Sequence, residues 1–148
     1  MLIRSVRDDD VPRLALLLGQ LGYPATEQDV RDRLAYWTDD PASALFAVAD
    51  DQDRLLGVAA LHVTPILEIT GKFGRLVALV VDDAARGRGV GSMLMAAVEE
   101  RARAAGCLFL EVTSSQHREQ AHRFYEGRGY RDTRDRSRRF LRPLDHPQ

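Results

Sequence analysis

The sequence predicts a mixed α/β layered domain, and three observations carry that prediction. Apolar runs of strand length, such as Leu55 to Val63, Leu76 to Val81 and Cys107 to Val112, are separated by stretches with apolar residues at helical spacing. Helices and strands do not alternate strictly: two helical stretches come in succession, then three strands, which differs from a repeated βαβ wrap. The chain has 148 residues and is 45% hydrophobic, enough for one substantial core, so a single domain over residues 1–148 is expected.

The elements follow in order. Leu2-Ile3-Arg4-Ser5-Val6 alternates as a half-buried strand does, and Asp8, Asp9 and Asp10 offer capping carboxylates before Val11-Pro12 opens a helix. Leu14, Leu17 and Leu18 share one face of that helix, which is expected to stop near Gly19 to Gly22. Thr26 starts a second helix with Glu27 and Asp29 in its first turn, and Asp39-Asp40-Pro41 ends it. Leu45 to Ala49 and Leu55 to Val63 read as a hairpin across Asp50 to Asp53, with Pro65 interrupting the pairing. After Gly71-Lys72-Phe73-Gly74, the continuously apolar Leu76 to Val81 predicts a central strand buried on both faces. Val90 to Ala105 is a helix closed by Gly106, Cys107 to Val112 a strand, and His117 to Glu126 a helix with Gly127 and Gly129 as its exit. Tyr130 to Thr133 and Ser137 to Leu141 complete the order β-α-α-β-β-β-α-β-α-β-β as a final hairpin.

Charge and cysteine content narrow the function. A formal net charge of -1 gives no overall field for nucleic acid or an anionic membrane. The arginines at 131, 134, 136, 138, 139 and 142 read as a solvated edge, without the interleaved aromatics of a nucleic-acid surface. Cys107 is the only cysteine and lies in an apolar stretch, so neither a disulfide nor a catalytic thiol is expected. No apolar run has the length of a signal peptide or membrane span, and a soluble, cytoplasmic protein is the expectation.

Chemistry concentrates at Arg86-Gly87-Arg88-Gly89-Val90-Gly91-Ser92, between the apolar strand and the next helix. Glycines there let an anion approach the main chain, while the unpaired N–H groups of a helix start point toward it. Arg86 and Arg88 add charged donors suited to a pyrophosphate. A tight strand-to-helix turn would use the same glycines. Two nucleotide motifs fit poorly: position 92 is Ser where a dinucleotide fingerprint wants glycine, and the only lysine, Lys72, precedes the strand.

Arg86, Gly89 and Gly91 resemble the acyl-CoA motif Arg/Gln-x-x-Gly-x-Gly/Ala of the GNAT superfamily of N-acetyltransferases. The run Ala121-His122-Arg123-Phe124-Tyr125-Glu126-Gly127-Arg128-Gly129-Tyr130, after Glu111 to Ser115, resembles the family's second cofactor segment. Position 83, often proline in the family, is Asp, and Arg118, after His117, stands where many relatives have Asn. The resemblance implies a mixed sheet flanked by helices on both faces, with acetyl-CoA as cosubstrate and no metal. It implies that Arg86 to Ser92 hold the pyrophosphate, that Val80 and Val81 meet the pantetheine arm, and that Tyr125 protonates the departing thiolate. A main-chain N–H near Val81 would polarise the thioester carbonyl.

The expected reaction is acetyl transfer to a primary amine by direct attack; the rival is a non-catalytic module that senses acyl-CoA. Glu68, His62 and Glu111 are candidates for the base, alongside a water chain and against an ordinary role as solvated surface groups. Acidic residues of the N-terminal helices with Tyr36 and Trp37 would receive a cationic amine, though core packing also accounts for Trp37. Expected partners are a small-molecule or peptide amine and, at most, a second copy of the chain in a homodimer.

Overall fold

The structure, a computed structural model, describes residues 1–113 and 119–144. The chain forms two compact units, Met1–Thr113 and Ser114–Gln148. In the first, β1 (Leu2–Ser5) leads to α1 (Val11–Leu21) and α2 (Glu27–Thr38), then β2 (Ser43–Ala49), β3 (Leu55–Pro65) and β4 (Lys72–Val81), followed by α3 (Val90–Ala104) and β5 (Cys107–Val112). The five strands form one sheet in sequence order. Pairing is antiparallel up to β4 and parallel between β4 and β5.

Neighbouring residues of β3 show why helices cover both faces. A Cβ built on Gly57 would meet Val90 and Leu94 of α3 at 2.8 and 3.1 Å. Val58, turned the other way by the two-residue alternation, packs with Val11, Leu14, Leu17, Val30 and Leu34 of α1 and α2. Leu17, Leu55, Leu61 and Leu94 are fully buried, each stabilising the fold by about 2 kcal/mol through the apolar surface removed from water.

The helices begin and end on identifiable residues. Thr26 accepts the Asp29 N–H at 3.0 Å while Asp29 accepts the Thr26 N–H at 3.0 Å, closing a capping box at α2. Helix α1 runs through Gly19 and ends only at Gly22, whose φ of 101° reverses the chain. The expected carboxylate cap on α1 is not formed. Asp8–Asp10 make a single 3-10 turn, and Asp10 instead accepts both Arg4 Nη1 and Nη2 at 2.8 Å and the Arg7 N–H at 2.7 Å. An arginine fork offers the carboxylate two charge-assisted bonds, more than a helix cap would.

Three further expectations are corrected. Strand β3 continues through Pro65, which pairs with Lys72 as the last ladder residue, a position where its missing N–H costs little. Strand β4 starts at Lys72 rather than Leu76: Gly74, which the expected strand leaves out, is a strand position where a Cβ would stand 2.7 Å from Leu110 and 3.1 Å from Leu61. Nor is β4 buried on both faces, for Leu76 is 2% exposed and Val77 50%.

In the second unit, α4 spans Glu119–Gly127, and residues 130–144 contain no strand, so the final hairpin is not formed. The Arg136 and Ser137 N–H groups fold back on the Thr133 carbonyl at 2.9 and 3.2 Å, and Phe140 and Leu141 are exposed. A hairpin there would bring like-charged arginines together across strands with no apolar face to bury. Among the described residues, no helix is long and apolar enough to cross a membrane.

Candidate functional site

Strand β4 loses one neighbour halfway along. Its pairing with β5 ends at Leu76↔Val112, whereas its pairing with β3 continues to Val81↔Gly57. Ala60 pairs with Ala78 and Leu61 with Leu76, leaving Val77 as the extra residue of a bulge at the point where β5 stops. From there to Val81, β4 has an open edge among the described residues. The Asp82 N–H donates to Leu56 of β3 at 2.8 Å. Strand alternation therefore turns the main-chain groups of Val80 toward β3 and those of Leu79 and Val81 toward the open edge. Val80 buries its side chain against α1 and α2. Leu79 was not singled out by the sequence, although counting back two residues from Val81 reaches it.

The open edge leads directly into the glycine loop. Gly87 and Gly89 have φ of 77° and 83°, and a Cβ on either would meet nothing within 4 Å among the described residues. Both therefore hold a backbone shape that disfavours other residues, beside empty space. Gly89 is the N-cap of α3 and has no side chain with which to cap it. The first helical bond runs from the Met93 N–H to the Gly89 carbonyl at 3.0 Å, so the amides of Val90, Gly91 and Ser92 have no acceptor within the helix. Arg86 pairs with Asp83 at 2.9 Å, and Arg88 is exposed without an ion-pair partner among the described residues. Positive helix end, bare amides and two guanidinium groups fit a pyrophosphate.

A polar clamp holds the start of this loop. Asp82 is buried and accepts Arg13 Nη2 at 2.6 Å, Gln20 Nε2 at 3.2 Å and the Ala84 N–H at 3.1 Å. Gln20 in turn accepts the Asp83 N–H at 2.8 Å, and Arg13 also donates to the Leu55 carbonyl at 2.8 Å. The Arg13 hydrogen bond, with those of Ala84 and Gln20, holds the Asp82 carboxyl down at about 2. Arg13 and Gln20 lie seven residues apart on one face of α1, a spacing legible in the sequence, but nothing there indicates a partner over sixty positions away.

A cleft of about 450 Å³ opens beside Val77, lined among others by Tyr36, Trp37, Asp40, His62 and Arg75. Strand register explains this grouping. Ser43 pairs with His62, His62 with Arg75 and Arg75 with Glu111, which sets one row of polar side chains across four strands on one face. Asp40 accepts the Ser43 hydroxyl at 2.8 Å and the Ala42 N–H at 3.0 Å, and both bonds hold its carboxyl below its usual value. His62 Nε2 lies 3.6 Å from Asp40, and its Nδ1 lies 3.4 Å from the Thr64 hydroxyl. Arg75 donates to Glu111 at 3.1 Å. Of the three candidate bases, His62 lines the cleft, Glu111 ends the row where β4 and β5 part, and Glu68 is exposed in the loop between β3 and β4.

In the second unit, Tyr125 sits in the last turn of α4, half-buried. The Tyr130 N–H donates to the Tyr125 carbonyl at 3.1 Å and the Gly129 N–H to the Glu126 carbonyl at 3.0 Å. With Gly129 at φ 92°, this is a Schellman ending, and its usual apolar contact is the edge-on packing of the Tyr125 and Tyr130 rings, 5.9 Å between centroids. Phe124 packs edge-on against Tyr125 at 5.4 Å. The Phe-Tyr-x-x-x-Gly-Tyr spacing is thus a helix stop that fixes the tyrosine. Ser114, Ser115, His117 and Arg118 lie outside the described residues.

Known proteins resemble this chain in sequence and architecture. The model of the acetyltransferase (GNAT) family matches residues 12–130. The aminoalkylphosphonate N-acetyltransferase of Salmonella typhimurium is 34% identical over 118 residues, covering 80% of this chain and 73% of that one. A transcriptional regulator from Bacillus halodurans C-125 superposes with a TM-score of 0.82 at 24% identity, covering 97% of this chain and 98% of its own. An acetyltransferase of Trypanosoma brucei does so with a TM-score of 0.78 at 23% identity, covering 97% and 99%.

Proposed function

The chain belongs to the acetyltransferase (GNAT) family, and from that premise we propose that it transfers an acetyl group from acetyl-CoA to a primary amine by direct attack. The observation that carries this reading is the continuity of the open β4 edge with the glycine loop. An extended amide-bearing arm pairs with an unpaired strand edge as an added strand does, and its pyrophosphate then arrives at the start of α3. Val81 and Leu79 would supply the pairing groups, and Val80 holds the strand to the core. Arg86 to Ser92 would receive the pyrophosphate, with Arg88 the readier of the two arginines because Asp83 occupies Arg86.

In this reading residues 1–148 act as one acetyltransferase domain. A main-chain N–H of the open β4 edge near Val81, that of Leu79, polarises the thioester carbonyl. Tyr125 gives its phenolic proton to sulfur as the C–S bond breaks and the C–N bond forms. The acceptor arrives as an ammonium ion and must lose a proton before it attacks; Glu111 or His62 would accept it, directly or through water. The Salmonella relative is named for aminoalkylphosphonates, which makes that class the first acceptor to test here. The single cysteine, with no partner for a disulfide, agrees with a cytoplasmic location.

Tyr125→Phe tests the central role. The ring contacts persist while the transferable proton is lost, so kcat should fall by roughly a hundredfold to ten-thousandfold with little change in acetyl-CoA affinity. Wild-type turnover by the variant, with chemistry rate-limiting, would remove Tyr125 from the mechanism. If the wild-type protein binds acetyl-CoA yet acetylates no amine, direct transfer to a primary amine is the wrong reading.

A further inference from the structure

We infer that the cleft beside Val77 is the acceptor site and that it selects short amines bearing an anionic group, with Arg75 as the residue that holds the anion. The inference rests on the proposed transfer reaction and adds to it the residue that determines which amine is used.

Position comes first. Val77 is the bulged residue at which β4 leaves β5, so the cleft it lines adjoins the upper end of the open edge. Along that edge, with its carbonyl at Leu79, the thioester is proposed to lie. Arg75 is two residues back along the same strand, about 6–7 Å away at the usual rise per residue. An amine directed at the open edge and an anion on Arg75 would therefore be joined by only two or three carbons.

Charge comes second. The row across the sheet separates its acids from its bases in pairs, Asp40 with His62 and Arg75 with Glu111. Asp40 is committed to Ser43 and Ala42, and so does not quench Arg75. Arg75 uses one nitrogen, Nη2, on one Glu111 oxygen, leaving most of a five-donor fork for an oxyanion. Both partners of that pair are partly exposed, at 50% and 40%, and an ion pair so placed costs little to open. A zwitterionic acceptor replaces it in kind: its anion takes the guanidinium, with His62 alongside, and its ammonium faces Glu111 at the end nearest the open edge. A plain alkylamine would leave the guanidinium against a methyl group, and a diamine would place a second cation there, a repulsive mismatch.

The test compares kcat/KM on four amines of similar length: 2-aminoethylphosphonate, β-alanine, propylamine and 1,3-diaminopropane, with acetyl-CoA saturating. The wild-type protein should favour the two anionic amines by on the order of tenfold to a hundredfold, the yield of a charge-assisted hydrogen-bonded pair. Phosphonate and carboxylate are separate arms, and preference for either one over propylamine supports the inference. In Arg75→Gln that preference should collapse toward unity, with the loss expressed mainly in KM. Calorimetry of acetyl-CoA binding to the same variant serves as the check that it is folded. If the wild type uses propylamine as well as the anionic amines, or if a folded Arg75→Gln keeps the preference, the inference is wrong while the transferase reading stands. If no amine is acetylated at all, both fall together.

Discussion

At the scale of single residues, Gly89 does two things that a substitution can separate. Its φ of 83° demands a left-handed backbone, and the empty space beside it is where a pyrophosphate would approach the amides of α3. A valine there would confound the two, because a branched side chain at positive φ costs about 1–2 kcal/mol of strain besides filling the space. Asparagine tolerates the left-handed region. Gly89→Asn should therefore keep a melting temperature near that of the wild type, while CoA affinity measured by calorimetry falls at least tenfold. Unchanged affinity in the folded variant would show that the phosphates bind elsewhere. Asp83 has a matching lesson. Its carboxylate pairs with Arg86 across 2.9 Å, so an anion arriving at that arginine would have to displace it.

At the scale of elements, the end of α4 shows how a motif fixes a side chain. The Tyr125 carbonyl is tied to the Tyr130 N–H only because Gly129 takes φ 92°, and a Cβ on Gly129 would touch nothing among the described residues. Substitutions there act through backbone strain alone. Gly129→Ala should cost about 1 kcal/mol and lower kcat, whereas Gly129→Asn, better suited to that conformation, should retain more of both. Equal kcat in the two variants would mean that the turn does not position Tyr125. Elements were legible where the signal is local: the Thr26 capping box, the glycine stop of α1 and the apolar runs of β3 and β5 are all written in neighbouring residues. Gly74 misleads because its reason for being glycine is Leu110, 36 positions downstream in the paired strand. The Arg13–Asp82–Gln20 clamp is invisible for the same reason. The final hairpin fails because alternation alone says nothing of whether an apolar face exists to bury it.

At the scale of the whole molecule, the acidic residues of the first unit act as anchors, and this makes stability depend on pH in a definite direction. Asp10, Asp29, Asp40, Asp50 and Asp82 are all held below the ordinary carboxyl value of 3.8, each by hydrogen bonds that require the ionised form. At Asp10 burial pushes the other way and is outweighed by Arg4 and the Arg7 N–H. A depressed folded value means that the unfolded chain binds more protons as the solution is acidified. The stabilisation is thus fully present above about pH 4–5 and is lost as pH falls through the folded values, which for Asp82 lies at about 2. Urea unfolding should give a nearly constant midpoint between pH 6 and pH 5 and a steep decline below pH 4. Asp82→Asn isolates one anchor. It should be less stable than the wild type by about 1–3 kcal/mol at pH 6, since a buried charged hydrogen bond is lost beside a partly buried Arg13. As the pH approaches 2 the wild-type carboxyl is itself neutralised, so the two unfolding midpoints should converge. A gap that stays constant from pH 6 to pH 2.5 would mean that the ionised carboxylate contributes nothing and that the variant suffers from lost packing alone.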